Sequence, residues 1–163
     1  MAPTMLKRLL VAGDPASHDL SALRSIVIGG VPLYRTDLRA AVAAFGPIIT
    51  QIYGQGESPM TITAMPPTRL EDFAGDGERL GSCGRAFVGV QVRVVDGSDD
   101  RGDAELPPGA DGEVCVRGDV VMSGYWDDPG ATARTLRGGW LHTGDIGHLD
   151  ADGFLHLTDR RRT

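Results

Sequence analysis

Glycine and proline interrupt this sequence so often that no stretch of it can run long as either helix or strand. There are 23 glycines and 10 prolines among 163 residues, roughly a fifth of the chain against about an eighth in ordinary proteins. No period organises them, which excludes a collagen-like repeat and a uniform linker. They fall between short apolar runs, so short helices and strands joined by turns are expected. A hydrophobic content of 41% supplies a core, and 17.3 kDa corresponds to one domain or two small subdomains.

Charge narrows the partners. Asp and Glu outnumber Lys and Arg by 22 to 16, a net charge of −6, which argues against nucleic acid or an anionic membrane surface as partner. No run of about 18 apolar residues offers a membrane span, and the first residues carry no signal-peptide pattern. A cytoplasmic location is the expectation. Cys83 and Cys115 stand far apart with no C-x-x-C pair, so two buried thiols are expected in preference to a disulfide.

The first part of the chain reads as a partial α/β subdomain over residues 1–66. Met5, Leu6, Leu9 and Leu10 lie at helical spacing and predict one buried stripe. Ser25–Ile28, closed by Gly29 and Gly30, suits a buried strand. Leu38, Val42 and Phe45 predict a second helix that Gly46-Pro47 ends. Ile48, Ile49 and Ile52 predict a strand ending at Tyr53-Gly54, and the strand–helix–strand order implies a parallel pair.

Residues 67–158 have a different rhythm and predict a small antiparallel β-barrel-like subdomain. Val88, Val90, Val92 and Val94 alternate with other residues, the period of a half-buried strand. Asp99 to Glu105 reads as a solvated acidic loop, and Val114 and Val116 alternate again. Asp128-Pro129 supplies a cap and first-turn proline for a short helix stopped by Gly138-Gly139. Ile146–Leu149 and Phe154–Leu157 predict two further strands around the turn Asp150–Gly153.

Several standard sites are excluded. There is no G-x-x-x-x-G-K-[ST] loop, G-x-G-x-x-G, G-x-S-x-G or H-E-x-x-H. His142, His148 and His156 match no zinc spacing and read as ordinary strand or surface histidines. Four segments stand out: Ile28-Gly29-Gly30-Val31-Pro32-Leu33; Tyr53-Gly54-Gln55-Gly56-Glu57-Ser58-Pro59; Gly112-Glu113-Val114-Cys115-Val116-Arg117-Gly118 with Gly124-Tyr125-Trp126; and Gly139-Trp140-Leu141-His142-Thr143-Gly144-Asp145 leading to Thr158-Asp159-Arg160. Taken singly, each is a turn, a cap or a solvated end.

In this order and spacing, however, they resemble the adenylate-forming (AMP-binding) superfamily: acyl-CoA synthetases, adenylation domains of peptide synthetases and luciferases. The resemblance runs from near residue 3 to the end. It implies activation of a carboxylic acid by Mg²⁺-ATP to an acyl-adenylate, then acyl transfer to CoA. Tyr53 and Gly54 resemble the motif whose aromatic ring lies against adenine. Gly29, Gly30 and Val31 resemble the loop shaping the adenine and acyl pockets. Glu57 resembles the catalytic Mg²⁺ ligand, and Asp145 the carboxylate that grips both ribose hydroxyls. Arg160 resembles the arginine that also reaches the ribose, and the resemblance puts the family's charged hinge residue at Arg162. Gly56 stands where the family often has a threonine whose hydroxyl contacts the α-phosphate.

The resemblance also implies what these 163 residues do not contain. The family's phosphate loop, with its lysine, precedes the matched region, and a small C-terminal domain with a second lysine follows the hinge, which begins here at residues 159–163. Lys7 is the only lysine and lies on the first helix, so neither catalytic lysine is present. Each lost cationic donor costs about 10²–10³ in rate. The chain is thus expected to be a fragment of the large N-terminal domain, inactive alone, with an exposed sheet edge, marginal stability and a tendency to self-associate. The alternatives are a non-catalytic nucleotide-binding or complementing module and an inert remnant. A fatty or aryl acid is favoured over an amino acid because the Tyr-Gly-Gln-Gly-Glu-Ser-Pro and Thr-Asp-Arg segments look more like acyl-CoA synthetases.

Overall fold

The structure is a computed structural model, and it describes residues 1–13, 15–31, 33–67, 79–97 and 104–160. Pro32, the Asp99–Asp103 part of the acidic loop, and the hinge residues Arg161 and Arg162 lie outside the described residues.

Among the described residues the chain is mixed α/β with two sheets. Helix α1 (Pro3–Ala12) leads to strand β1 (Ile26–Ile28), and helix α2 (Arg35–Phe45) crosses over to β2 (Ile49–Gln55). β1 and β2 are parallel, with Ile26 opposite Ile49, as the strand–helix–strand order requires. Gly46 ends α2 with a φ of 82° and returns its N–H to the Val42 carbonyl, the conformation that only glycine adopts cheaply. Leu6, Ile28, Leu38, Ala41, Val42 and Ile49 close the core of this layer. The predicted stripe on α1 is only half buried: Leu6 and Leu10 pack inward, while Met5 and Leu9 face outward.

β2 does not end at Gly54. It runs on to Gln55 and turns through Gly56-Glu57 into an antiparallel partner, β3 (Ser58–Met65). Pro59 disguises this strand in the sequence, because proline cannot donate to a ladder. The register slips between Tyr53 and Gln55. At that bulge a Cβ on Gly54 would stand 2.2 Å from the Met60 backbone nitrogen, so the close approach demands glycine. β4 (Arg85–Ala86) completes the first sheet.

The second sheet is antiparallel and built from β5 (Gln91–Val95), β6 (Gly112–Arg117), β7 (Leu136–Arg137), β8 (Trp140–Leu149) and β9 (Leu155–Arg160). β8 is its spine. β6 pairs along one edge, while β7 and then β9 share the other. Val88 is fully exposed in the turn before β5, so the valine alternation starts later than predicted. Helix α3 (Pro129–Thr135) is capped by the Asp128 carboxylate, which accepts from the Ala131 N–H. It ends before Gly138-Gly139, which instead turn β7 into β8.

A pair of backbone hydrogen bonds welds the sheets together at one point. The Cys83 N–H donates to the Leu155 carbonyl at 2.7 Å and the Leu155 N–H to the Gly84 carbonyl at 2.9 Å, so the segment entering β4 pairs with the free edge of β9. The Asp150–Gly153 turn is held as well. Asp150 Oδ1 accepts from the Asp152 and Phe154 N–H groups, and Arg79 and Arg85 lie over the Phe154 ring. The edge strand β1 is not bare: Met1 donates to the Val27 carbonyl and accepts from the Gly29 N–H. Both cysteines are free and buried, as expected, and no helix among the described residues is long and apolar enough to cross a membrane.

Candidate nucleotide cavity

Between the sheets lies a cavity of about 300 Å³, lined by Gly30, Val31, Tyr53, Gly54, Asp145 and Arg160 among others. β2 contributes Tyr53 and Gln55, two residues apart on one strand. Asp145 comes from the middle of β8, opposite Arg160 on β9. Residues as distant as 53 and 145 thus meet because β2 and the β8–β9 pair face each other across the weld.

Asp145 is the focus. Its Oδ2 accepts from the Tyr53 hydroxyl at 2.6 Å and from Gln55 Nε2 at 2.6 Å. Gln55 Nε2 also donates to the Thr143 carbonyl at 2.9 Å. Arg160 Nε lies 3.6 Å from Oδ1, on a side chain 74% exposed, so that ion pair is weak and screened. The stretch of β8 carrying Asp145 is fixed from below. Gly144 takes a φ of 71°, its N–H donates to Glu113 Oε1, and the Thr143 hydroxyl donates to the Val114 carbonyl.

This enclosure shifts the neighbouring acids. Burial, and then the bond to the Asp145 carboxylate, push the Tyr53 phenol well above its ordinary value. Burial and the same negative charge push the Cys83 thiol up to about 12, so it stays a neutral lining group. A raised folded-state value stabilises the fold fully below the unfolded tyrosine value and loses that contribution as pH rises beyond it. Tyr53→Phe is therefore expected to cost about 1–2 kcal/mol at neutral pH. The gap between the two proteins should narrow above about pH 10, where an unfolded tyrosine ionises. Urea unfolding of both across that range checks it, and a gap independent of pH would contradict it.

The candidate residues divide. Gly30, Val31, Tyr53, Gly54, Asp145 and Arg160 meet at the cavity. Gly29 is buried behind it, where a Cβ would stand 2.9 Å from the Ile52 carbonyl oxygen. Gly56 and Glu57 sit on the β2–β3 turn and are not part of the lining. Glu57 Oε1 accepts a 2.5 Å hydrogen bond from the Tyr125 hydroxyl, and its carbonyl accepts from the Met122 N–H. The contact with Glu57 raises the Tyr125 phenol. A half-buried carboxylate on this turn suits Mg²⁺, which keeps several waters and shares phosphate oxygens instead of filling an all-protein cage. Three polar partners had no role in the sequence reading: Gln55, Thr143 and Tyr125. All lie inside the segments singled out there, but nothing in a linear motif tells which strand each faces. His142 is likewise interior, against Glu113, while His148 and His156 stack across β8 and β9, as strand histidines do.

Known proteins provide the comparison. The chain is 39% identical over 160 residues to a medium/long-chain fatty-acid–CoA ligase of Mycobacterium tuberculosis, covering 98% of this chain and 26% of that protein. Among solved structures it matches an amide bond synthetase of Marinactinospora thermotolerans with a TM-score of 0.87 and 44% identity, over 98% of this chain and 31% of that one. An o-succinylbenzoate–CoA synthetase of Bacillus subtilis, solved in complex with AMP, matches with a TM-score of 0.80 and 30% identity, over 99% and 30%. The chain thus spans between a quarter and a third of the length of these relatives. The model of the family described as AMP-binding enzyme matches residues 1–126, a stretch holding Tyr53 and Glu57, and the close relatives extend the likeness through Asp145 and Arg160. On these grounds the chain belongs to the AMP-binding enzyme family.

Proposed function

We propose that this chain carries the AMP-facing part of an ATP-dependent acid–thiol ligase. In that reaction a carboxylate oxygen attacks the α-phosphorus of ATP, pyrophosphate leaves, and a thiol then displaces AMP from the acyl carbon. The observation that carries the reading is the meeting of Tyr53, Asp145 and Arg160 in one cavity, in a chain of this family. Tyr53 and Gly54 would border the adenine, with Gly29, Gly30 and Val31 shaping the loop beside it. Asp145 would accept from the ribose hydroxyls and Arg160 would reach the same sugar. Glu57 would hold Mg²⁺ at the phosphates, and Gly56 would offer only its backbone N–H there. The acid would be fatty or aryl and the thiol CoA, in the cytoplasm. Residues 1–66 and 67–158 would act as the two walls, and residues 159–163 would begin a hinge.

A non-catalytic reading has its own support. Lys7 is the only lysine, and its Nζ lies 2.9 Å from Asp37 on α2, so it is no part of the cavity lining. The chain alone is therefore expected to bind AMP without catalysing carboxylate-dependent ATP–pyrophosphate exchange, and to self-associate through an exposed sheet edge. Calorimetric titration with AMP and an exchange assay test this. No AMP binding would remove the nucleotide reading, and measurable exchange would refute the inactivity expected of these 163 residues alone.

Gly56 gives a second test. A Cβ there meets open space, so Gly56→Thr should leave the melting temperature unchanged and add a hydroxyl toward the phosphates. AMP affinity is expected to rise by about fivefold, the value of one modest hydrogen bond. Unchanged affinity would show the position to be irrelevant to phosphate.

A further inference from the structure

We propose that Glu113, Cys115 and His142 form a binding site for a borderline-soft divalent cation, Zn²⁺ or Cd²⁺, plugged by the Arg137 guanidinium and lying beneath the stretch of β8 that carries Asp145. The inference is independent of the nucleotide reading. Glu113 and Cys115 lie two residues apart on β6, and Cys115 is directly opposite His142 on β8. All three are buried, and their ligand atoms lie within 4.8 Å of one another.

The spacing fits a metal polyhedron. Cys115 Sγ is 3.4 Å from His142 Nδ1, and His142 Nδ1 is 3.0 Å from Glu113 Oε2. A tetrahedral Zn²⁺ with its usual bond lengths holds neighbouring N, O and S donors about 3.3–3.6 Å apart. Small outward shifts therefore make room for the ion. One sulfur, one imidazole nitrogen and one carboxylate select Zn²⁺ or Cd²⁺ over Mg²⁺ or Ca²⁺. Thiolate and carboxylate together balance the dication, and the thiol proton leaves to water on loading.

Arg137 explains how the site opens. Its Nη2 is 2.8 Å from His142 Nδ1 and 3.6 Å from Glu113 Oε2, on a side chain 39% exposed, so it can retreat into solvent. Nδ1 thus faces a donor and an acceptor at once, and a neutral imidazole satisfies only one of them. A cation on Nδ1 satisfies the imidazole lone pair and the carboxylate together. One cost limits affinity: the imidazole proton then sits on Nε2, which is buried without a hydrogen-bond partner.

Cd²⁺ titration of the reduced chain, followed by the ultraviolet thiolate-to-cadmium charge-transfer band with Zn²⁺ as competitor, tests the proposal. One ion per chain is expected. Cys115→Ser should abolish the band and Cys83→Ser should leave it. Arg137→Ala should tighten binding by about tenfold, because a like charge beside the ion is gone. A band that survives Cys115→Ser, or that vanishes in Cys83→Ser, overturns the site. Should Cys115→Ser fail to fold, Arg137→Ala at the solvent boundary still decides: binding no tighter than in the parent chain overturns it.

Discussion

Gly84→Ala is expected to unfold the chain under conditions where the parent is folded. Gly84 has a φ of 86°, and a Cβ built on it would stand 1.9 Å from the Ala64 carbonyl oxygen and 2.2 Å from the Met65 nitrogen. Those are backbone atoms of β3 and cannot swing aside. The left-handed conformation alone costs an alanine about 1–2 kcal/mol. Relieving the clash also means pulling Cys83–Gly84 away from β3 and β9, which breaks the Leu155–Gly84 bond and the bond from the Thr63 hydroxyl to the Cys83 carbonyl. The total is about 4 kcal/mol or more, the exceptional end of single-residue effects and comparable to the whole stability of a small domain. Gly153 is the control, since its φ is 79° but its Cβ would meet open space. Gly153→Ala should cost only about 1–2 kcal/mol. Urea unfolding of both variants measures the difference, and equal midpoints would refute the account of the weld.

Asp145→Ala should remove AMP binding almost entirely while leaving a folded chain. The substitution orphans the buried Tyr53 hydroxyl and one bond of Gln55, a stability cost of about 1–3 kcal/mol. Loss of two charge-assisted hydrogen bonds to a ribose would weaken AMP by about a hundredfold or more. Arg160→Ala makes the contrast. Its guanidinium is 3.6 Å from Asp145 and mostly in water, so the expected weakening is about threefold. Calorimetry on the three proteins, with melting curves as a folding check, separates these outcomes. An Asp145→Ala chain that melts normally and binds AMP like the parent would dismiss the carboxylate's assigned role.

The sequence was legible wherever one local rule decided the outcome. The glycine stop of α2, the Asp128 cap and the Asp150–Gly153 turn all rest on neighbours within a few positions, and the parallel β1–β2 pair follows from the strand–helix–strand order. It failed where pairing was distant or disguised. β3 went unseen because Pro59 interrupts it and because Thr63, a polar residue, is buried against the Cys83 carbonyl. The helix stop assigned to Gly138-Gly139 was a hairpin turn, since two β residues fit between Thr135 and the glycines. At the site, motifs picked out Tyr53 and Asp145, but not that a hydroxyl and an amide from β2 would converge on one carboxylate oxygen. Glu57 joined a motif with Tyr53 in sequence, yet the Gly54 bulge and the following turn leave it at the Tyr125 hydroxyl instead of in the lining.

The weld at Leu155 has a mechanical consequence. β9 would otherwise be the outermost strand beside the cavity, with a row of open amides offered to any passing chain. Because Cys83 and Gly84 occupy that row at Leu155, a foreign strand has no template there. The two sheets cannot part at that point without breaking both bonds, so the wall of the hollow that holds Asp145 keeps its place against the first sheet.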